Sequence, residues 1–153
     1  MALKMLTRRS LTVKELTERL RRKGAGKDVA GKIAFDFIKS GYIDEKAIVE
    51  DHIKRGREAK LVGRFLLSYE LRQRGINAEM VDELLSKLYP ENDELGIARQ
   101  FAARKMSGMQ DLPPDKRERR LAGSLQRRGF QQDTIAAIMR CESDCNENQY
   151  VVA

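Results

Sequence analysis

The sequence predicts an all-α protein built as three tandem three-helix repeats, stacked into an elongated array that can curve. Three observations carry that prediction. Apolar residues recur at three- and four-residue spacing along nearly the whole chain, and no stretch alternates as a strand would. Side-chain caps and glycines punctuate these periodic stretches at helix length. One helix ending also occurs three times, as "LTERLRRKG" from Leu16 to Gly24, "LSYELRQRG" from Leu67 to Gly75 and "LAGSLQRRG" from Leu121 to Gly129. All three read Leu, three residues, Leu, two residues, a basic residue and glycine, and nine positions past each glycine stands an apolar residue, Ile33, Leu84 and Ile138. Self-similarity at a period of about 50 residues marks stacked supersecondary units.

The elements follow in order. "ALKMLTRR" forms a short opening helix. Thr12 and Glu15 make a capping box that starts the second, whose Val13, Leu16, Thr17 and Leu20 share one face and whose end is Gly24. The third runs through Val29, Ile33, Phe37 and Ile38 to the break at "SGYID", where Gly41 ends it and Asp44 caps the next, with Tyr42 and Ile43 stapling the first repeat to the second. That fourth helix carries Ile48 and Ile53. Leu67 to Arg74 lies in the fifth, and Asn77 caps a sixth with Val81, Leu84, Leu85 and Leu88, broken by "YPEND". "ELGIARQFAARKM" gives a longer seventh helix, "SGMQDLPPD" a flexible connector, and two more helices cover roughly 114 to 128 and 131 to 140. Nine helices in three repeats place the units at 1–43, 44–89 and 90–140, with 141–153 as a flexible tail. A three-helix unit of this size buries little core alone, so neighbours are expected to stack.

Composition agrees. Hydrophobic residues make up 41% and charged residues 35% of 153, with no Trp and 3 Pro, as in a helical globular protein rather than a disordered one. No apolar run approaches the roughly 20 residues of a membrane span, and the opening "MALKMLTRRS" lacks a signal peptide's apolar stretch, so a cytoplasmic protein is expected. Cys141 and Cys145 sit far from the single histidine, His52, and read as two reduced thiols; no metal site or cofactor is expected, and His52 is assigned no role.

The net charge of +7 is concentrated at the front: residues 1–27 hold nine Lys or Arg against two acids, and the remainder is balanced. A basic face attracts either phosphates or acidic protein surface. The basic residues before each glycine have a structural explanation, since cations suit the carbonyl end of a helix. Capping does not require so many. The candidate partner-binding residues are therefore Arg21, Arg22, Lys23, Arg72, Arg74, Arg127 and Arg128; if the repeats stack with similar orientation, Arg21, Arg22, Arg72, Arg127 and Arg128 are expected to recur along one side of the array. No catalytic triad or phosphate loop is present; "GAG" at 24–26 follows a helix and is a cap, so no enzyme is expected. A helix-turn-helix-like nucleic-acid-binding module is the alternative, although Phe130 and Tyr42, the aromatics near basic residues, are expected to pack between helices rather than stack on bases.

The order "RRSLTVKELTERLRRKG", "GYIDE", "VGRFLLSYELRQRGI", then "KRERRLAGSLQRRGF" with Ile135 following, resembles the bacterial RecX regulatory proteins from about residue 2 to residue 139. Each motif is only a helix end; the likeness lies in their order and separation. Asp44-Glu45 stands where that family usually reads Asp-Asp, and "CESDCNENQYVVA" has no counterpart in its pattern. The resemblance implies three tandem three-helix repeats and no enzymatic activity. It also implies a protein that binds the RecA recombinase, in the groove of its filament on single-stranded DNA, and restrains its recombinase and coprotease activities; a monomer is expected.

Overall fold

The computed structural model describes residues 1–7 and 9–151, with side chains described through Cys145. Nine α-helices occur among them: α1 (Ala2–Leu6), α2 (Val13–Arg22), α3 (Lys27–Lys39), α4 (Glu45–Arg55), α5 (Arg64–Gln73), α6 (Ala78–Leu88), α7 (Glu91–Ser107), α8 (Pro114–Arg127) and α9 (Gln132–Val151). A π-helical turn, Gly56–Lys60, extends α4. No strand occurs among the described residues.

The signals read from the sequence act as local chemistry demands. The Thr12 hydroxyl accepts from the Glu15 amide while the Glu15 carboxylate accepts from the Thr12 amide, closing the capping box. Asp44 accepts from Ala47 N–H and Asn77 from Glu79 N–H. Gly24, Gly75 and Gly129 all take positive φ, +95°, +87° and +76°, and in each case the following residue's amide returns to the carbonyl of the repeated second leucine, Leu20, Leu71 or Leu125. That left-handed C-cap is why the motif ends in glycine.

Two hydrophobic cores result. Leu11, Leu16, Leu20, Ala30, Ala34 and Ile43 form a small one inside α1–α3. A larger one is continuous from Val49 in α4 to Ile138 in α9 and fuses the second and third repeats around Tyr89, Phe101 and Phe130. Tyr89 is fully buried, its hydroxyl donating to the Val62 carbonyl at 3.1 Å, and burial raises its pKa.

Several expectations change. The stretch set apart as a flexible tail continues α9 as helix through Val151, so that helix does not stop near 140. The connector after α7 is pinned by Met109, which is buried in the larger core, with the Leu112 amide turned back onto the Met109 carbonyl. Ile43 is buried, but it packs into the first repeat's own core. Tyr42 stays exposed, meeting Phe37 edge-on at 5.6 Å, so it does not pack between helices as Phe130 does.

Candidate functional site

Consecutive repeats meet through one recurring joint. The start of a middle helix receives the end of the next middle helix. At the first joint the Thr12 hydroxyl donates to the Arg74 carbonyl at 2.6 Å; at the second, the Gly63 amide donates to the Arg128 carbonyl at 2.8 Å. The guanidinium then turns back to the preceding repeat. Arg74 bonds both oxygens of Glu15, at 2.8 and 3.1 Å, and the Ser10 carbonyl at 3.1 Å. Arg128 bonds the Lys60 carbonyl at 2.6 Å and lies 5.0 Å over the Phe101 ring. A carboxylate from the next repeat's first helix caps the same helix start: Glu45 accepts from Val13 N–H, and Glu94 from Arg64 N–H. Burial pushes the Glu15 carboxyl up, but its hydrogen bonds to Arg74 and Thr12 outweigh this and hold its pKa below the usual carboxylate value.

These joints leave two grooves. The first, about 630 Å³, separates the first and second repeats; its cations Arg9, Arg55, Lys60 and Arg74 face Asp44 and Asp51, and the latter already pairs with Arg55 at 2.7 Å. The second, about 610 Å³, separates the second and third repeats and collects Lys60, Arg104, Lys105, Arg127 and Arg128 around Phe101, with no carboxylate among the described residues that line it. Lys60 stands in both, making them one basic lane. It is placed there by the π turn, which Leu61 closes at φ +52°, a conformation costing a branched residue about 1–2 kcal/mol.

The seven residues singled out in the sequence have different surroundings. Arg127 and Arg128 line the second groove and Arg74 the first, both of the latter as joint residues. Arg21 and Arg22 line a separate shallow groove at the end of α2, and Lys23 is exposed beside it. Arg72 pairs with Asp82 at 2.8 Å and lines neither lane groove. Their neighbours differ: the ends of α5 and α8 dock on the preceding repeat, whereas the end of α2 is open, so residues at the same distance from the glycine meet different surroundings. Arg104 and Lys105 lie outside the repeated motif because they end a first helix rather than a middle one, although they too are cations in a last turn. Phe65 and Tyr69 carry no motif of their own in the sequence; four residues apart on α5, they are 69% and 54% exposed, and Arg72 follows Tyr69 by three residues, a composition typical of protein-binding anchors.

His52 is half-buried, with Nε2 2.8 Å from Glu70 Oε2; burial lowers its pKa against the opposing pull of Glu70. Cys141 and Cys145 are free and exposed. Among the described residues no cluster of three or more His, Cys, Asp or Glu could hold a metal, and no helix is long and apolar enough to cross a membrane.

Fold and site together define a class: an all-α protein of tandem three-helix repeats whose joints frame grooves rich in cations. The chain belongs to the RecX family. Residues 92–139 match the family's third three-helix domain and residues 1–33 its first. It is 33% identical over 138 residues to the regulatory protein RecX of Trichlorobacter lovleyi, covering 90% of each chain. It is 31% identical to that of Streptomyces coelicolor, across 90% of this chain and 73% of the relative. The fold is similar to the crystal structure of RecX from Lactobacillus salivarius, with a TM-score of 0.76 and 20% identity over 93% of this chain and 92% of that one.

Proposed function

We propose that this protein is a cytoplasmic, monomeric regulator that binds the RecA recombinase assembled on single-stranded DNA and restrains its recombinase and coprotease activities, so tuning DNA recombination, repair and the SOS response. It acts by binding, not by catalysis. The observation that carries this reading is the basic lane, two grooves joined at Lys60 along a repeat array. An array of similar units can follow a helical polymer, and several weak contacts on one body bind far more tightly than any alone. Arg127, Arg104 and Lys105 meet acidic protein patches or exposed phosphates, Phe65 and Tyr69 add an apolar anchor, and Arg21, Arg22 and Lys23 extend the contact at the far end. Arg74 and Arg128 serve chiefly to hold the lane's shape, and Arg72 is tied to Asp82.

The test is DNA-dependent ATP hydrolysis by a preformed recombinase filament. The parent chain is expected to lower it, and the triple variant Arg104→Gln, Lys105→Gln, Arg127→Gln to lose that effect while keeping its helical content and a cooperative melt, with stability lowered by only about 1–3 kcal/mol for the three last-turn cations removed. No inhibition by the parent at any concentration would remove the reading. A second reading, direct binding of nucleic acid, is favoured by the absence of carboxylates around the second groove. Affinity over a salt series for naked against recombinase-coated single strands separates the two; equal affinity selects the second.

A further inference from the structure

The two internal joints show twice what the end of a middle helix grips. In both, the C-cap carbonyl accepts from the residue that starts the preceding repeat's middle helix, and the C-cap guanidinium bonds a carbonyl in the turn before that helix. In both, the capping glycine lies against the first turn of that helix: a Cβ at Gly75 would meet the Lys14 side chain at 2.6 Å, and one at Gly129 would run into the backbone of Leu66. At the first joint a carboxylate one turn into the helix, Glu15, completes the grip.

The first repeat carries the same ending with nothing docked on it. Lys23 occupies the place of Arg74 and Arg128, and Gly24, at φ +95°, has no atom within 4 Å of where a Cβ would stand. Exposed Arg21, Arg22 and Lys27 surround it in a shallow groove of about 560 Å³ whose one acid is Glu18. The far end of this chain does not supply a matching start. The residues opening α8 are Pro113 and Pro114, which lack the amide that Gly63 uses and the hydroxyl that Thr12 uses. Head-to-tail stacking of a second copy therefore lacks the bond that both internal joints share.

We infer that the open end of α2, residues 21–27, is a docking site for another protein's helix start: a turn with an accessible carbonyl, a hydroxyl or amide donor at the N-cap, and a carboxylate in the first turn. The cations select the acid, and Gly24 permits the close approach that its two counterparts already make. This goes beyond the regulatory reading, because it stands whether or not that protein is a recombinase.

The test is amide-shift mapping by NMR on the isotopically labelled full chain, titrated with a synthetic peptide. The peptide copies residues 10–20 with Lys14→Glu and continues into an alanine-rich tail long enough to hold it helical. Shifts centred on residues 21–27 are expected, with affinity falling about tenfold when the peptide carries Glu15→Gln or the protein carries Arg22→Glu and Lys23→Glu, the loss of about one charge-assisted contact. Any of four results overturns the inference: no shift at millimolar peptide, shifts centred on Lys60 and Arg104, indifference to either substitution, or a response at 21–27 to a single-stranded oligonucleotide but not to the peptide. The titration contains no recombinase, so its failure removes this docking site alone, whereas failure of the ATP-hydrolysis test removes the proposed partner alone.

Discussion

The first joint and the second use the same hydrogen-bond plan but differ in what surrounds it. At the first, polar groups do nearly all the work: Arg74 with Glu15 and Ser10, Thr12 with the Arg74 carbonyl, Val13 N–H with Glu45, and Lys14 with the Gln73 carbonyl. The apolar core of α1–α3 stays separate. At the second, one continuous core runs through the joint, Gly129 is buried against Leu66, and buried Glu94 serves two helix starts at once, accepting from Arg64 N–H, Gln131 N–H and the Thr134 hydroxyl. A conserved plan of hydrogen bonds fixes how units are oriented, whereas the apolar area around it decides whether they fold as one. The second joint adds apolar burial, roughly 25 cal/mol per Å², to the shared hydrogen-bond plan, whereas the first rests on polar contacts with the charge-assisted Arg74–Glu15 pair at their centre.

The three equivalent glycines give the widest contrast. Gly129→Ala, with its Cβ against Leu66 backbone in a buried site, is expected to destabilise by at least about 3 kcal/mol in urea unfolding. Gly75→Ala meets the Lys14 Cβ, which the α2 backbone holds in place, at 2.6 Å, but in an exposed site and with no backbone atom against it, so it should cost less than Gly129→Ala and more than Gly24→Ala, which in open space carries only the left-handed backbone penalty of about 1–2 kcal/mol. Equal losses at all three would erase the difference between the joints.

The paired carboxylates sharpen it next. Glu94→Ala strands three donors, two of them starting helices, and is expected to cost about 2–4 kcal/mol, whereas Glu45→Ala removes one partly buried cap and should cost about 1 kcal/mol. Differential scanning calorimetry of both variants checks the ratio. Arg74→Met should remove about 1.5–3 kcal/mol, the worth of hydrogen bonds to a charged group, from the first repeat only.

The smallest effect is pH. Because the folded pKa of Glu15 lies below the ordinary value of 4.5, its stabilisation is complete above that value and is lost as pH falls through the lower folded one. Acid is therefore expected to loosen α1–α3 before the remainder, and Glu15→Gln to flatten the response, as followed by circular dichroism below about pH 4.5.

What was legible in the sequence was local. The Thr12–Glu15 box, the caps at Asp44 and Asn77 and the three left-handed glycines are decided within four or five residues, so pattern suffices. The family order then followed from their spacing. The joints were not legible, because Arg74 meets Glu15 across 59 positions and Arg128 meets Lys60 across 68. A basic residue before a glycine looks the same whether it is bonded to the preceding repeat or free. The π turn that brings Lys60 into both grooves has no sequence signal, and the polar "ESDCNENQ" hides the continuation of α9 because it lacks an apolar stripe.

Native-state hydrogen exchange tests the central claim, that a polar joint couples a separately cored first repeat to a fused second and third. Amides of α2 and α3 are expected to open with a lower free energy than those of α5, α6 and α8, and Arg74→Met to lower the first set while leaving the second unchanged. A single opening free energy shared by all five helices, moved equally by Arg74→Met, would contradict it.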